Sequence, residues 1–123
     1  MYGYDAIDDS YNISFTTAQS SMHLAQREAQ SQGKKLLVVT AGIPELADRM
    51  KHKNRELGEA LSHVADHIVV LESMFAQEIT CGIHKENQYT LVSNLDSFID
   101  IKSRWSTDEW LLLLLPELTD LYY

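Results

Sequence analysis

The chain has 123 residues, 45% apolar and 23% charged, with a formal net charge of −8 at pH 7. That length makes one domain, residues 1–123, with room for a sizeable core. The acidic balance argues against a nucleic-acid partner, because phosphate binding needs clustered Lys and Arg.

The longest apolar run, residues 110–115, falls far short of the roughly 20 residues a membrane span needs, so no membrane partner is expected. The start carries Asp5, Asp8 and Asp9 where a signal peptide would carry a basic region and an apolar core. The cytoplasm is therefore the expected compartment. Cys81 is the single cysteine, which rules out an internal disulfide and fits a reducing compartment.

Taken in chain order, residues 4–7 predict a first strand, followed by a polar connection. Ala18, Met22, Ala25 and Ala29 recur at spacings of 4, 3 and 4 and predict a helix over 17–31 with one inward stripe. Thr16 or Thr17 is its expected cap, and Gly33 its expected stop at a positive φ. Residues 36–39 form a continuous apolar run of the kind that suits a parallel strand buried on both faces. Leu46, Met50, Leu57, Leu61 and Val64 hold a helical register. A third strand is expected over 68–71, a short helix over 75–81 stopped at Gly82, and a fourth strand over 89–92. Leu95, Phe98, Ile99 and Lys102 mark a fourth helix with Ser93 or Asn94 as its cap. Residues 110–115 give a fifth strand, halted by Pro116. Strands alternating with helices predict a Rossmann-like three-layer α/β/α sandwich around a mostly parallel sheet of five or six strands.

Few residues carry chemistry. Among the histidines only His63 and His67 stand four apart, and a helix-to-strand boundary is expected between them. With no close Cys/His spacing they read as surface or interface residues, and no metal site is expected. Cys81, between an apolar run and Gly82, is expected to be buried and inert. Lys51, Lys53 and Arg55 are interrupted by Glu56 and Glu59 and read as a solvated helix face. No serine sits in a Gly-x-Ser-x-Gly elbow. Gly33-Lys34-Lys35 lacks the upstream glycine and the following Ser or Thr of a phosphate loop, and it precedes a strand. It reads as a helix cap with a solvated lysine pair.

Asp8-Asp9 follows the first strand, where open α/β sheets keep their ligands. Paired carboxylates there can hold Mg²⁺, as in phosphorelay receiver domains. The receiver pattern also needs an Asp after the third strand and a Lys after the fifth. This chain has Leu71-Glu72 and Leu115-Pro116-Glu117. The same residues also simply make good turns.

The segment Ile7-Asp8-Asp9-Ser10-Tyr11-Asn12, with Ser21-Met22 in the helix that follows, resembles the opening of the C-terminal domain of Mur ligases. It is closest to the branch that adds D-alanyl-D-alanine to the UDP-muramoyl tripeptide. Val39-Thr40-Ala41-Gly42-Ile43-Pro44-Glu45-Leu46, Asn54-Arg55-Glu56-Leu57-Gly58 and Ala65-Asp66-His67-Ile68-Val69-Val70 continue the resemblance in order. So does the closing segment from Leu113 to Tyr122. Departures occur at Ile13-Ser14-Phe15, where the family has Ala-Asn-Pro, at Ala41 for proline, at Ala47 for glycine, and at Glu117-Leu118-Thr119.

The resemblance implies a domain that closes over ATP and the amino substrate in a three-domain peptidoglycan-precursor ligase. Its partners would be a central ATPase domain and a UDP-sugar domain. Asp8, Tyr11 and Asn12 would bind nucleotide, with ATP and Mg²⁺ as cofactors of the parent. No catalytic residue is assigned to this chain. With no P-loop in 123 residues it is expected to be inactive, and without cofactor, in isolation. The alternative expectation is a divergent stand-alone Rossmann-like module for protein interaction or nucleotide binding, suggested by the altered loop and the apolar tail 118–123.

Overall fold

A computed structural model describes residues 3–8, 15–41, 50–72 and 76–115. Nine principal elements follow one another: β1 (Ala6–Asp8), α1 (Phe15–Ser31), β2 (Lys35–Thr40), α2 (Met50–Val64), β3 (His67–Leu71), α3 (Ala76–Gly82), β4 (Tyr89–Val92), α4 (Leu95–Ile101) and β5 (Trp110–Leu114). The strands form one sheet in the order β1-β5-β2-β3-β4, and every pairing is parallel. This is the three-layer α/β/α architecture the alternation predicts, with five described strands.

The topology explains the layers. The chain steps in one direction from β2 to β3 to β4, then returns to place β5 between β1 and β2. Right-handed crossovers put helices of one direction on one face and the return helix on the other. The core divides that way. Ala18, Met22, Leu57, Leu61 and Ile79 of α1 to α3 cover Leu36, Val38, Ile68, Val70, Leu111 and Leu113. Leu95 and Phe98 of α4 join Leu37, Val39, Val69, Leu71, Leu112 and Leu114 on the opposite face. Successive strand residues thus serve alternate faces, and both faces are covered, hence the unbroken apolar runs.

Helix boundaries differ from expectation in detail. The α1 stripe of Ala18, Met22, Ala25 and Ala29 is buried as read. The helix starts at Phe15, however, so Thr16 and Thr17 lie inside it and cannot be its cap. Gly33 does end the α1 segment at φ +67, with the Lys34 N–H donating to the Ala29 carbonyl. Asn94 caps α4, its Oδ1 accepting from the Ser97 N–H at 2.9 Å.

Gly82 is the last residue of α3, and its role is close approach. A Cβ there would meet the Arg55 carbonyl oxygen at 2.1 Å, and one on Gly58 would meet the Ile79 oxygen at 2.1 Å. The two helices touch backbone to backbone through this glycine pair. Tyr4, expected in the first strand, precedes it. Its ring is buried and its hydroxyl lies within hydrogen-bond reach of the Lys102 and Trp105 carbonyls. Burial raises the phenol pKa, so it remains a donor at neutral pH.

Candidate functional site at the carboxyl edge of the sheet

Because the strands are parallel, their carboxyl ends share one edge. Asp8 pairs with Leu114, Val39 with Leu114, Thr40 with Val70, and Leu71 with Val92. The ladder continues one step beyond the strands: the Glu72 N–H donates to the Val92 carbonyl at 2.8 Å and the Leu115 N–H to the Val39 carbonyl at 2.8 Å. Ligands of open α/β sheets bind outside this edge, at a point where successive connections leave toward opposite faces. Here β3 leads to α3 on one face and β4 to α4 on the other, so that divergence lies between Glu72 and Ser93. A cleft of about 370 Å³ opens beside it, lined by Glu72, Ala76, Gln77, Thr80 and Leu91.

Asp8, expected just after the first strand, is the final residue of β1 and stands at this edge; Asp9 to Asn12 lie outside the described residues. The Asp8 side chain, together with Tyr11 and Asn12, lies outside the described residues.

Two further polar residues stand near the edge. Thr40 ends β2 and Asn54 lies in the first half of α2, and both side chains are fully buried and partnered. The sequence offered a signal for Asn54: with Leu57 and Leu61 it keeps the 3, 4 spacing of an inward stripe. Buried polar groups at a ligand edge fix backbone geometry, since they are costly to leave unpaired.

Among the described residues no group of three or more His, Cys, Asp or Glu comes together as a metal site. Cys81 is exposed, contrary to expectation. Helix α3 buries Ala76, Ile79 and Gly82, a spacing of three, which turns Cys81 to solvent.

At the opposite edge, clefts of about 340 and 430 Å³ share Ala65 and Asp66. Asp66 there extends the sheet: its carboxylate accepts from the Leu36 N–H at 2.8 Å, and its own N–H donates to the Leu36 carbonyl at 2.9 Å. Lys34 is ion-paired with Asp5 at 2.9 Å and only 16% exposed, so half of the expected solvated lysine pair is tethered. Lys35 lies over the Trp110 ring. The basic face of α2 carries its own counter-charges, Lys53 with Glu56 at 3.4 Å and Arg55 with Glu78 at 3.6 Å.

The order and direction of the strands and the helices on both faces define a Rossmann-like three-layer α/β/α domain. No protein-family model and no curated protein sequence matches the chain. Solved structures share its fold. The MurF ligase of Thermotoga maritima, in complex with ADP, superposes with a TM-score of 0.74 at 22% identity, over 94% of this chain and 26% of that one. A domain assigned to a UDP-N-acetylmuramate:L-alanyl-gamma-D-glutamyl-diaminopimelate ligase of Haemophilus ducreyi gives a TM-score of 0.59 at 11% identity, over 94% and 80% of the two chains. The chain thus spans about a quarter of the length of the MurF ligase whose fold it shares.

Proposed function

We propose that this chain is the C-terminal domain of an ATP-dependent Mur-type peptide ligase of peptidoglycan-precursor synthesis, of the D-alanyl-D-alanine-adding branch. The observation that carries the reading is the likeness to one quarter of an ADP-bound MurF ligase over 94% of this chain. The Asp8-Asp9-Ser10-Tyr11-Asn12 motif at the carboxyl end of β1 supports it.

In this reading Asp8, Tyr11 and Asn12 meet the nucleotide. A carboxylate accepts bonds from ribose hydroxyls, an aromatic ring flanks base or ribose, and an amide both donates and accepts. The place fits a nucleotide, because β1 ends at the ligand edge of a parallel sheet. ATP in the parent supplies the phosphoryl group that activates the acceptor carboxylate, and Mg²⁺ accompanies it. The phosphate cradle belongs to a central domain, and a UDP-sugar domain completes the enzyme. This domain closes over both, excluding water and presenting the amino substrate. Alone it has no phosphate cradle and turns nothing over. The cytoplasm, where ATP and UDP-linked precursors meet, is the compartment.

The test is kinetic. In the full-length parent, Asp8→Ala and Asn12→Ala are expected to raise the KM for ATP with the fold intact. Unchanged ATP kinetics in both variants would defeat the assignment. A second reading, a stand-alone module that binds a partner or nucleotide without turnover, is favoured by one observation. Ile13-Ser14-Phe15 departs from the family's Ala-Asn-Pro in the segment assigned to the nucleotide. A parent frame without a P-loop would favour it.

A further inference from the structure

The end of α2 and the segment after α3 are stitched by a small polar lattice. Ser62 Oγ donates to Gln88 Oε1 at 2.8 Å and accepts from the His84 N–H at 3.2 Å. Gln88 Nε2 donates to the Ser62 and Ala65 carbonyls, both at 2.9 Å, one in the last turn of α2 and one just beyond it. The lattice fixes the backbone of His84 against the last turn of α2, where His63 stands. Their rings lie edge to face with centroids 5.6 Å apart, and both residues are exposed. Neither ring nitrogen of either histidine has a hydrogen-bond partner among the described residues.

We propose that His63 and His84 chelate one borderline divalent transition-metal ion, Zn²⁺, Ni²⁺ or Cu²⁺, at the amino edge of the sheet. Three features carry this. Imidazole nitrogens suit these ions. An ion about 2.0–2.1 Å from one nitrogen of each ring holds the ring centres roughly 5–6 Å apart, which the apposed rings already match. His63 also occupies the last turn of α2, where the carbonyl end of the helix dipole favours a cation. The surrounding charge is mixed: Glu59 and Asp66 flank His63 in sequence, Lys85 and Glu86 follow His84, and Lys34 and Lys35 line the neighbouring cleft. No third His, Cys, Asp or Glu ligand is grouped with the pair among the described residues, so water completes the shell and the ion exchanges freely. Cys81, three residues before His84, is not part of the site.

Zinc chloride titrated into the metal-free 123-residue chain, followed by calorimetry and by the imidazole resonances, tests this. The expected result is saturable one-to-one binding that perturbs His63 and His84. Affinity falls at least about tenfold in His63→Ala and in His84→Ala, as much as loss of an outer-shell partner typically costs. It is unchanged in Cys81→Ser and His23→Ala. It falls again as the solution is acidified, because protons compete with the metal for ligating nitrogens. Both histidines are exposed, so circular dichroism of the variants should match that of the parent chain. Absence of one-to-one binding, wild-type affinity in both histidine variants, or loss in Cys81→Ser overturns the proposal.

Discussion

The two faces of the sheet reach the same burial by opposite means. One face receives three helices, packed through small residues: Ala18, Ala25 and Ala29 on α1, and the Gly58–Gly82 contact between α2 and α3. Among the described residues the other receives only α4, and large side chains pack beside it. Phe98 and Trp105 lie with centroids 6.3 Å apart, and Trp105 and His67 5.1 Å apart. Tyr4 comes from the far end of the sequence and donates to the carbonyls of Lys102 and Trp105. The chain's crossover pattern sets the number of helices on each face, and side-chain volume adjusts to it. Closely spaced helices need absent side chains, and a sparsely covered face needs bulky ones.

If that division is real, the two faces should fail differently. Phe98→Ala empties the centre of the one-helix face and should cost about 3–5 kcal/mol in denaturant unfolding. Gly58→Ala adds only a methyl group, yet meets backbone at 2.1 Å. It should cost about 3 kcal/mol, the upper part of the overpacking range. Gly33→Ala is its control: nothing lies within 4 Å of a Cβ there, and only the φ of +67 opposes it, so about 1 kcal/mol is expected. A Gly58 variant no worse than the Gly33 variant would mean that α2 and α3 part easily, and the contrast between the faces would collapse.

Tyr4→Phe keeps the ring and removes only the hydroxyl bonds. A loss of about 1–3 kcal/mol is expected, chiefly from the Trp105 carbonyl, since the Lys102 carbonyl still accepts from the Trp105 N–H. An unchanged midpoint would show that Tyr4 acts by packing alone.

The smallest effect concerns acid. Burial lowers the pKa of His67, whose Nε2 shares a hydrogen bond with Thr90 Oγ1 at 2.8 Å. The folded state therefore disfavours protonation relative to the unfolded chain. The contribution is fully present above the unfolded imidazole pKa of about 6.5 and is lost as pH falls below it toward the folded pKa. Melting temperature should decline on the acid side of pH 6.5, less so in His67→Gln. Equal acid slopes in both chains would remove His67 from the account.

The fold was legible because its signals are local and periodic. The runs that became β2, β3 and β5 are apolar on both faces, and the α1 stripe repeats at 4, 3, 4. The misreadings involve contacts that leave no local trace. Tyr4 looked like a strand residue because its ring is apolar; its hydroxyl partners lie about a hundred residues away. Gly82 looked like a helix stop, yet its constraint is the Arg55 carbonyl on another helix. Cys81 looked buried from its apolar neighbours, but the inward stripe of α3 skips it. Ser62 and Gln88 bind backbone across long sequence separations and carried no motif, and the segment that holds Asp66 gave no sign of its bond to the Leu36 N–H. Of the candidate site, the structure gives one point: β1 ends at Asp8 on the carboxyl edge. How Tyr11 and Asn12 sit lies outside the described residues.

The most direct test of the central claim is phosphate release by the intact polypeptide that carries this domain. It would be given ATP, Mg²⁺, a UDP-muramoyl tripeptide and D-alanyl-D-alanine, singly and together. A Mur-type ligase releases phosphate in step with amide formation, only when acceptor and dipeptide are both present. The release should weaken at limiting ATP in Asp8→Ala. No acceptor-dependent phosphate release from the purified, folded polypeptide with any of the amino substrates used by Mur ligases would contradict the account.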